Sequence, residues 1–382
     1  MNALVFNDDT KQELCEGLAA LPTLLRRWNV REIFAVIDPA VESTPQVRAL
    51  TDNDQWAWRI FNGVKSNPDI PQVRAAMDCL GAIKPDAWLA IGGGTTIDLM
   101  KLVAAAASRR DSLVDMCVGR TAASRDHGRF VAVPTTAGTG SEATQFAVVY
   151  VEGLKYSVEH PTLLPDAAVL DPMLTQSLPP SVTAHTGLDA LCQAIESLWS
   201  VRSTEPSRAW ASEALQLAWR TLPTLARQPD AAARREMLTA AHLAGRAINL
   251  SRTTAPHAMS YALTIGYGVP HGAAVAMNIA TLLRYNAAVT DADCADQRGT
   301  GHVRAVIEQI QRILGCDSPD QAGEALTSLV AALDCPTRLS QVGVTSDAQI
   351  ASLVEQINAQ RLGNNPRRIT PDNQRELWEQ IR

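Results

Sequence analysis

The sequence predicts a two-domain protein: an α/β domain on a parallel sheet over residues 1–177, then an all-helical domain over 178–382. Three observations carry this. The first half alternates short apolar runs with helical stretches, the pattern of a parallel sheet covered by helices. SLPPSV (177–182) breaks the chain with two adjacent prolines, and no strand-like run follows it. At 382 residues the chain is longer than one core usually supports.

Taken in order, EIFAVID (32–38) is apolar, bounded by charge, and reads as a buried parallel strand ending at Asp38. Gln72–Leu80 is helical in character. AWLAIGGG (87–94) is a strand running into a glycine loop, and TIDLMKLVAAAASRR (96–110) is the helix after it. RFVAVPTTAGTGSEAT (129–144) is another strand and loop, and AAVLDP (167–172) a further short strand. Past the prolines, LDALCQAIESLWS (188–200), SRAWASEALQLAWRTL (207–222), RREMLTAAHLAGRAINL (234–250), VRAVIEQIQRIL (303–314) and AQIASLVEQI (348–357) have helical spacing.

Hydrophobic residues make up 46% and charged residues 19%, the balance of a folded globular chain. The net charge of −6 and the lack of a lysine or arginine cluster argue against a nucleic-acid partner. No run reaches the roughly 18–20 apolar residues of a membrane span. MNALVFNDDTKQELCEG has no basic start followed by an apolar stretch, so no secretion signal is expected. Seven scattered cysteines without a CxxC pair fit a reducing cytoplasm and argue against a zinc ribbon.

Two loops point to a nucleotide. Glycines after a strand and before a helix let backbone N–H groups approach a pyrophosphate, and the helix start adds favourable partial charge. GGG at 92–94 is not the GxGxxG fingerprint, but PTTAGTGSE (134–142) repeats the arrangement after a neighbouring strand. Both loops belong on the ligand-binding edge of such a sheet. The candidate cofactor residues are Gly92, Gly93, Gly94, Thr95, Asp98, Lys101, Thr135, Thr136, Thr139 and Ser141. Asp38 is placed to accept from a ribose diol and to repel a 2′-phosphate, which favours NADH while leaving NADP open. A helix N-cap is the competing reading of Asp38.

His257 and His271 stand fourteen positions apart among small and apolar residues. They are either core histidines or half of a metal site. A carboxylate for such a site is available in TGLDALCQAIES (186–197), where Asp189 and Gln193 share one helix face.

At this point the motifs resemble the iron-dependent (group III) alcohol dehydrogenases. FNGVKSNPD (61–69), AIGGGTTIDLMK (90–101), VPTTAGTGSEAT (133–144), LPDAAVLDP (164–172), TGLDALCQAIES (186–197), the HAMSY…GVPHG block (257–272) and NNPR (364–367) match in order. The resemblance implies the dehydroquinate synthase-like fold: a Rossmann-like NAD(P)-binding domain and a helical metal-binding domain, with cofactor and metal meeting between them. It implies that Asp189, position 193, His257 and His271 hold Fe2+, with Zn2+ as the competitor. It implies a homo-oligomer, a dimer first.

Two residues depart from the family. Position 193 is glutamine where histidine is usual, and His185, expected ahead of the helix, is a poor substitute. Tyr261 stands where many members carry a proton-passing histidine, so Tyr261 and His257 are the candidate catalytic residues. SRTTAPHAMSY and KYSVEHPTLLPD resemble the phosphonoacetaldehyde reductase branch, which implies an anionic aldehyde reduced to 2-hydroxyethylphosphonate in phosphonate and phosphinate natural-product biosynthesis. Arginines with nearby hydroxyls suit such an oxyanion, and Arg252, Thr253, Lys155, Arg361 and Arg367 are its candidate ligands. Alternatives are a dehydrogenase for another small alcohol, a metal-free enzyme like maleylacetate reductase, a dehydroquinate synthase relative, and an NAD-binding protein that has lost catalysis.

Overall fold

The computed structural model describes residues 12–225 and 229–382. Two compact units divide the chain, one ending at Ser177 and the other beginning at Leu178.

The first unit carries the strands β1 (Glu13–Glu16), β2 (Glu32–Ile37), β3 (Ala57–Phe61), β4 (Ala87–Gly92), β5 (Arg129–Pro134), β6 (Phe146–Val151), β7 (Leu154–Glu159) and β8 (Ala167–Leu170). Six form one sheet in the order β1-β8-β5-β4-β2-β3, every pair parallel. The central strands are apolar throughout because helices cover both faces. Phe34, Val36, Trp88, Ala90, Phe130 and Ala132 pack on one side. Ile33, Ala35, Ile37, Leu89, Ile91 and Val131 pack on the other.

Four strand readings, at 32, 87, 129 and 167, correspond to β2, β4, β5 and β8. The edge strands β1 and β3 had no such signal, since none of their residues is fully buried. KYSVEHP (155–161), to which no strand was assigned above, is mostly β7, which pairs antiparallel with β6. Glu152 and Gly153, at φ 52° and 80°, make the tight turn of that hairpin. The helix read at 96–110 runs instead from Gly94 to Ala106. Arg109, at φ −140° and ψ 51°, has left helical space, so both arginines lie beyond its end.

The two glycine loops touch. A Cβ on Gly93 would meet Thr136 at 3.4 Å, and one on Gly94 would meet Thr139 at 2.7 Å. Gly93, Gly94, Thr95, Thr136 and Thr139 keep accessible surface there, while Gly92 and Thr135 are buried behind them. The Gly94–Ala106 helix points its N-terminus at this edge. Asp38 sits at the end of the neighbouring β2 and caps a short helix, its Oδ1 accepting from Ala40 N at 2.9 Å.

Lys101, Asp98 and Ser141, read above as cofactor ligands, have a different task. The Lys101 side chain is fully buried. Its Nζ donates to Ser141 O and Oγ, Thr144 Oγ1 and Phe146 O at 2.7–3.1 Å. Asp98 accepts from Ser141 Oγ at 2.5 Å and from Val148 N at 2.9 Å. Burial lowers the Lys101 ammonium to about 8, although Asp98 and Glu142 pull it upward. Its donors are spent on binding helix, loop and hairpin together, which corrects the cofactor reading of Lys101 and ties Asp98 and Ser141 into the same network.

The second unit is helical, and among the described residues its only β pairing is an isolated bridge between Cys294 and Arg367. Pro180 opens the first long helix, Pro180–Trp199, at a position where proline costs nothing. No described helix is long and apolar enough to cross a membrane.

Replacing Lys101 by Met should strand Asp98 and four oxygens in the interior. A loss of about 3–5 kcal/mol in urea unfolding is expected.

Candidate active site

Three helices of the second unit converge here. Pro180–Trp199 supplies Asp189, Gln193 and Glu196, at i, i+4 and i+7 of one face, all buried. Ala255–Tyr267 supplies His257 in its first turn and Tyr261 one turn later. His271–Ala287 supplies His271 as its first residue. The fourteen-residue spacing of the histidines is therefore one helix plus a tight return. Gly268, at φ 67°, ends the helix in the left-handed region, and Val269 and Pro270 lead into the next.

The approach of the last helix to the first depends on Gly272. A Cβ there would lie 1.8 Å from the His185 carbonyl oxygen and 3.1 Å from Asp189 Cβ. His185 lies inside the Pro180–Trp199 helix, one turn before Asp189, and not ahead of it as the sequence reading expected. It is absent from the convergent group below.

Asp189, His257 and His271 bring ligand atoms within 4.8 Å of one another, a group able to hold one metal ion. His257 Nε2 stands 3.2 Å from Asp189 Oδ1. The two imidazoles meet edge to face with centroids 5.3 Å apart. One carboxylate and two imidazoles make an O/N donor set that suits Fe2+ or Zn2+, and the Gln193 amide lies one turn beyond on the same face. Burial would lower the His257 pKa, but Glu196 and Asp189 outweigh it and push the ring up to about 10. Glu196 was not singled out from the sequence. Its signal was the spacing of seven from Asp189.

Tyr261 stacks on His271, 5.6 Å between centroids and 9° between planes. The Arg361 guanidinium lies over the Tyr261 ring at 4.7 Å. It sits on the short helix Ala359–Leu362, just before the NNPR segment, where Asn364 donates to Thr253 O at 3.1 Å and Asn365 to Asn286 Oδ1 at 2.8 Å. Among the described residues no carboxylate pairs with Arg361.

The other candidate anion ligands lie elsewhere or are engaged. Arg367 donates to Asp293 Oδ2 at 2.8 Å and to Tyr285 O at 2.9 Å, and lies over the Tyr285 ring. It pins the chain, which corrects its reading as an anion ligand. Arg252 ends its helix at φ 64° and donates to Asn249 O. Thr253 offers its carbonyl to Asn364. Lys155 belongs to the first unit, on β7, near Asp98, whose carboxyl burial pushes up while Lys101, its hydrogen bonds and Lys155 pull it partly back.

Residues 15–172 match the iron-containing alcohol dehydrogenase family, and residues 183–381 match the C-terminal domain of the same family. The chain belongs to the iron-containing alcohol dehydrogenase family. Over 375 residues it is 39% identical to the phosphonoacetaldehyde reductase of Streptomyces viridochromogenes, covering 94% of this chain and 91% of that one. It is 32% identical to the probable alcohol dehydrogenase EutG of Salmonella typhimurium over 369 residues, 94% of this chain and 89% of that one. The crystal structure of sulfoacetaldehyde reductase from Bifidobacterium kashiwanohense in complex with NAD+ superposes with a TM-score of 0.89 at 28% identity, covering 99% of each chain. Its relatives are alcohol dehydrogenases and aldehyde reductases, so the protein is an oxidoreductase of this family, in which NAD and iron are the cofactors.

Gly272→Ala forces the His271 helix away from the Asp189 helix. The expected cost is about 1–3 kcal/mol or more in chemical denaturation, whereas Gly266→Ala, where an added Cβ meets nothing within 4 Å, should lose no stability.

Proposed function

We propose that this protein is a metal-dependent, NAD(P)H-linked reductase of a small anionic aldehyde, with phosphonoacetaldehyde giving 2-hydroxyethylphosphonate as its reaction. One observation carries the anionic part: the Arg361 guanidinium held over Tyr261, which is itself stacked on His271. A guanidinium held by its face keeps its donor edge for a tetrahedral oxyanion, which it binds bidentately. Two relatives named above support the choice, since phosphonoacetaldehyde and sulfoacetaldehyde are both acetaldehydes bearing such a group on the second carbon.

In this reading Asp189, Gln193, His257 and His271 hold the divalent cation. Gln193 contributes a neutral oxygen where an imidazole is usual, so the site binds iron or zinc less tightly than a three-histidine site. When bound, the cation polarises the carbonyl oxygen and the reduced nicotinamide supplies the hydride. Tyr261, beside His271, is the residue placed to pass a proton toward the product oxygen. In the first unit, Gly93, Gly94, Thr95, Thr136 and Thr139 receive the pyrophosphate at the helix N-terminus. Asp38 keeps a carboxylate oxygen for the ribose diol and favours NADH over NADPH.

The test is steady-state NADH oxidation with phosphonoacetaldehyde beside acetaldehyde and propionaldehyde. The expected preference is at least about tenfold in kcat/KM, equivalent to about 1.4 kcal/mol of transition-state binding. Equal rates on the plain aldehydes would instead favour an enzyme for simple alcohols. Arg361→Met should lower kcat/KM for phosphonoacetaldehyde by about 10- to 100-fold, the worth of a hydrogen bond to a charged group, and affect propionaldehyde far less.

Metal binding must displace the second imidazole proton of His257, a ring whose pKa burial lowers but Glu196 and Asp189 push up to about 10. Apparent Zn(II) affinity, measured against a competing chelator, should therefore rise about tenfold per pH unit between roughly 7 and 9.

A further inference from the structure

Glu196 is a fully buried carboxylate whose ion-pair partner among the described residues is His257. Its two oxygens are divided between two tasks. Oε1 accepts from Thr254 N at 2.8 Å, Thr254 Oγ1 at 2.9 Å and His257 N at 3.4 Å. These donors open the Ala255–Tyr267 helix, whose N-cap Thr254 makes no side-chain cap of its own. The carboxylate thus caps the helix from a distance, where the helix dipole favours negative charge. Oε2 is hydrogen-bonded to His257 Nδ1. The other nitrogen, Nε2, points at Asp189.

We infer that Glu196 is a positioning residue for the metal site, holding His257 in the tautomer with hydrogen on Nδ1 so that Nε2 presents its lone pair beside Asp189 and His271. The argument is one of donor and acceptor supply. A carboxylate provides acceptors on both oxygens, and this network uses both. With its Nδ1–H committed to Glu196, the neutral ring has its lone pair on Nε2 and nowhere else. A glutamine has one acceptor oxygen. If that oxygen takes the helix N-terminus, the amide N–H faces Nδ1, and the ring must then carry hydrogen on Nε2, where the ligand lone pair is needed. If it takes Nδ1 instead, the amide N–H meets the Thr254 and His257 backbone donors, and the helix that carries His257 loses its cap. Either arrangement spoils the site. The role rests on the metal reading of the site and is independent of which aldehyde is reduced.

The first experiment measures Zn(II) affinity of the full chain and of Glu196→Gln by chelator competition, alongside thermal unfolding of each. The expected result is a loss of at least about tenfold in affinity, in the range seen when an outer-shell partner is removed. A smaller loss, with only the melting temperature lowered, would mean that Glu196 is merely a helix cap and would overturn the inference. The second needs no variant. Long-range nitrogen–proton correlation spectra of the Zn(II)-loaded wild-type protein report which His257 ring nitrogen carries hydrogen. Hydrogen on Nδ1 with zinc on Nε2 is expected; the reverse arrangement refutes the role even if Glu196→Gln does not fold. If the wild-type chain binds no Zn(II), the metal reading itself fails and this role falls with it. Equal affinity in wild type and variant removes only the role of Glu196.

Discussion

Nothing larger than hydrogen fits between residue 272 and the carbonyl oxygen of His185, and the second unit's chemistry depends on that contact. It sets how near the His271–Ala287 helix comes to the Asp189 helix, and so whether an imidazole and a carboxylate can share one ligand. The glycine return at 268 supplies the direction of approach, and Gly272 the distance. His257 arrives from the helix in between, whose start is fixed by Glu196. Each donor is then held by backbone geometry and not by its own side-chain freedom, the condition under which a site stays preorganised.

Both units use a buried ion in the same way. Lys101 in the first and Glu196 in the second each lie in the interior, where an isolated charge would be prohibitive. Each is surrounded by several hydrogen-bonding partners drawn from different chain segments. Lys101 gathers the Ser141 turn, Thr144 and the start of the β6 strand. Glu196 gathers the start of the Ala255–Tyr267 helix and the His257 ring. A buried ion adds little net stability when fully satisfied, but it is costly to leave half satisfied, so it selects one arrangement over its near neighbours. The gain is geometric: the glycine-loop edge and the start of the His257 helix are tied down by buried charges.

The stack Arg361–Tyr261–His271 joins a guanidinium to a candidate metal donor through two aromatic contacts. Its contrast with Arg367 is instructive. Arg361 stands just before the NNPR motif and Arg367 is its last residue, and both lie over a tyrosine. Arg367 also meets Asp293, so its charge is neutralised in place. The fate of an arginine is set by whether a carboxylate comes within reach, and that is a property of the assembled helices.

The parallel sheet, the glycine loops, the proline boundary and the two histidines were legible in the sequence, because each is a local pattern with a local cause. Buried central strands are apolar throughout, a left-handed or crowded turn demands glycine, and a helix opens with proline. Where the reading failed, the cause was distant. β1 and β3 are edge strands without a fully buried residue, and β7 is defined by pairing with β6. Lys101 was read by its place beside a glycine loop, but its partners lie forty and more positions away. Glu196 meets His257 across sixty-one positions, and Arg367 meets Asp293 across seventy-four. The sequence by itself determined which chemistry is available: a carboxylate and two imidazoles, glycine loops on a parallel sheet, and arginines near the end. Only the tertiary structure decided which of those charges oppose one another and which remain for a ligand, because electrostatic partnership depends on distance in space and burial, and neither is written in the spacing of residues along the chain.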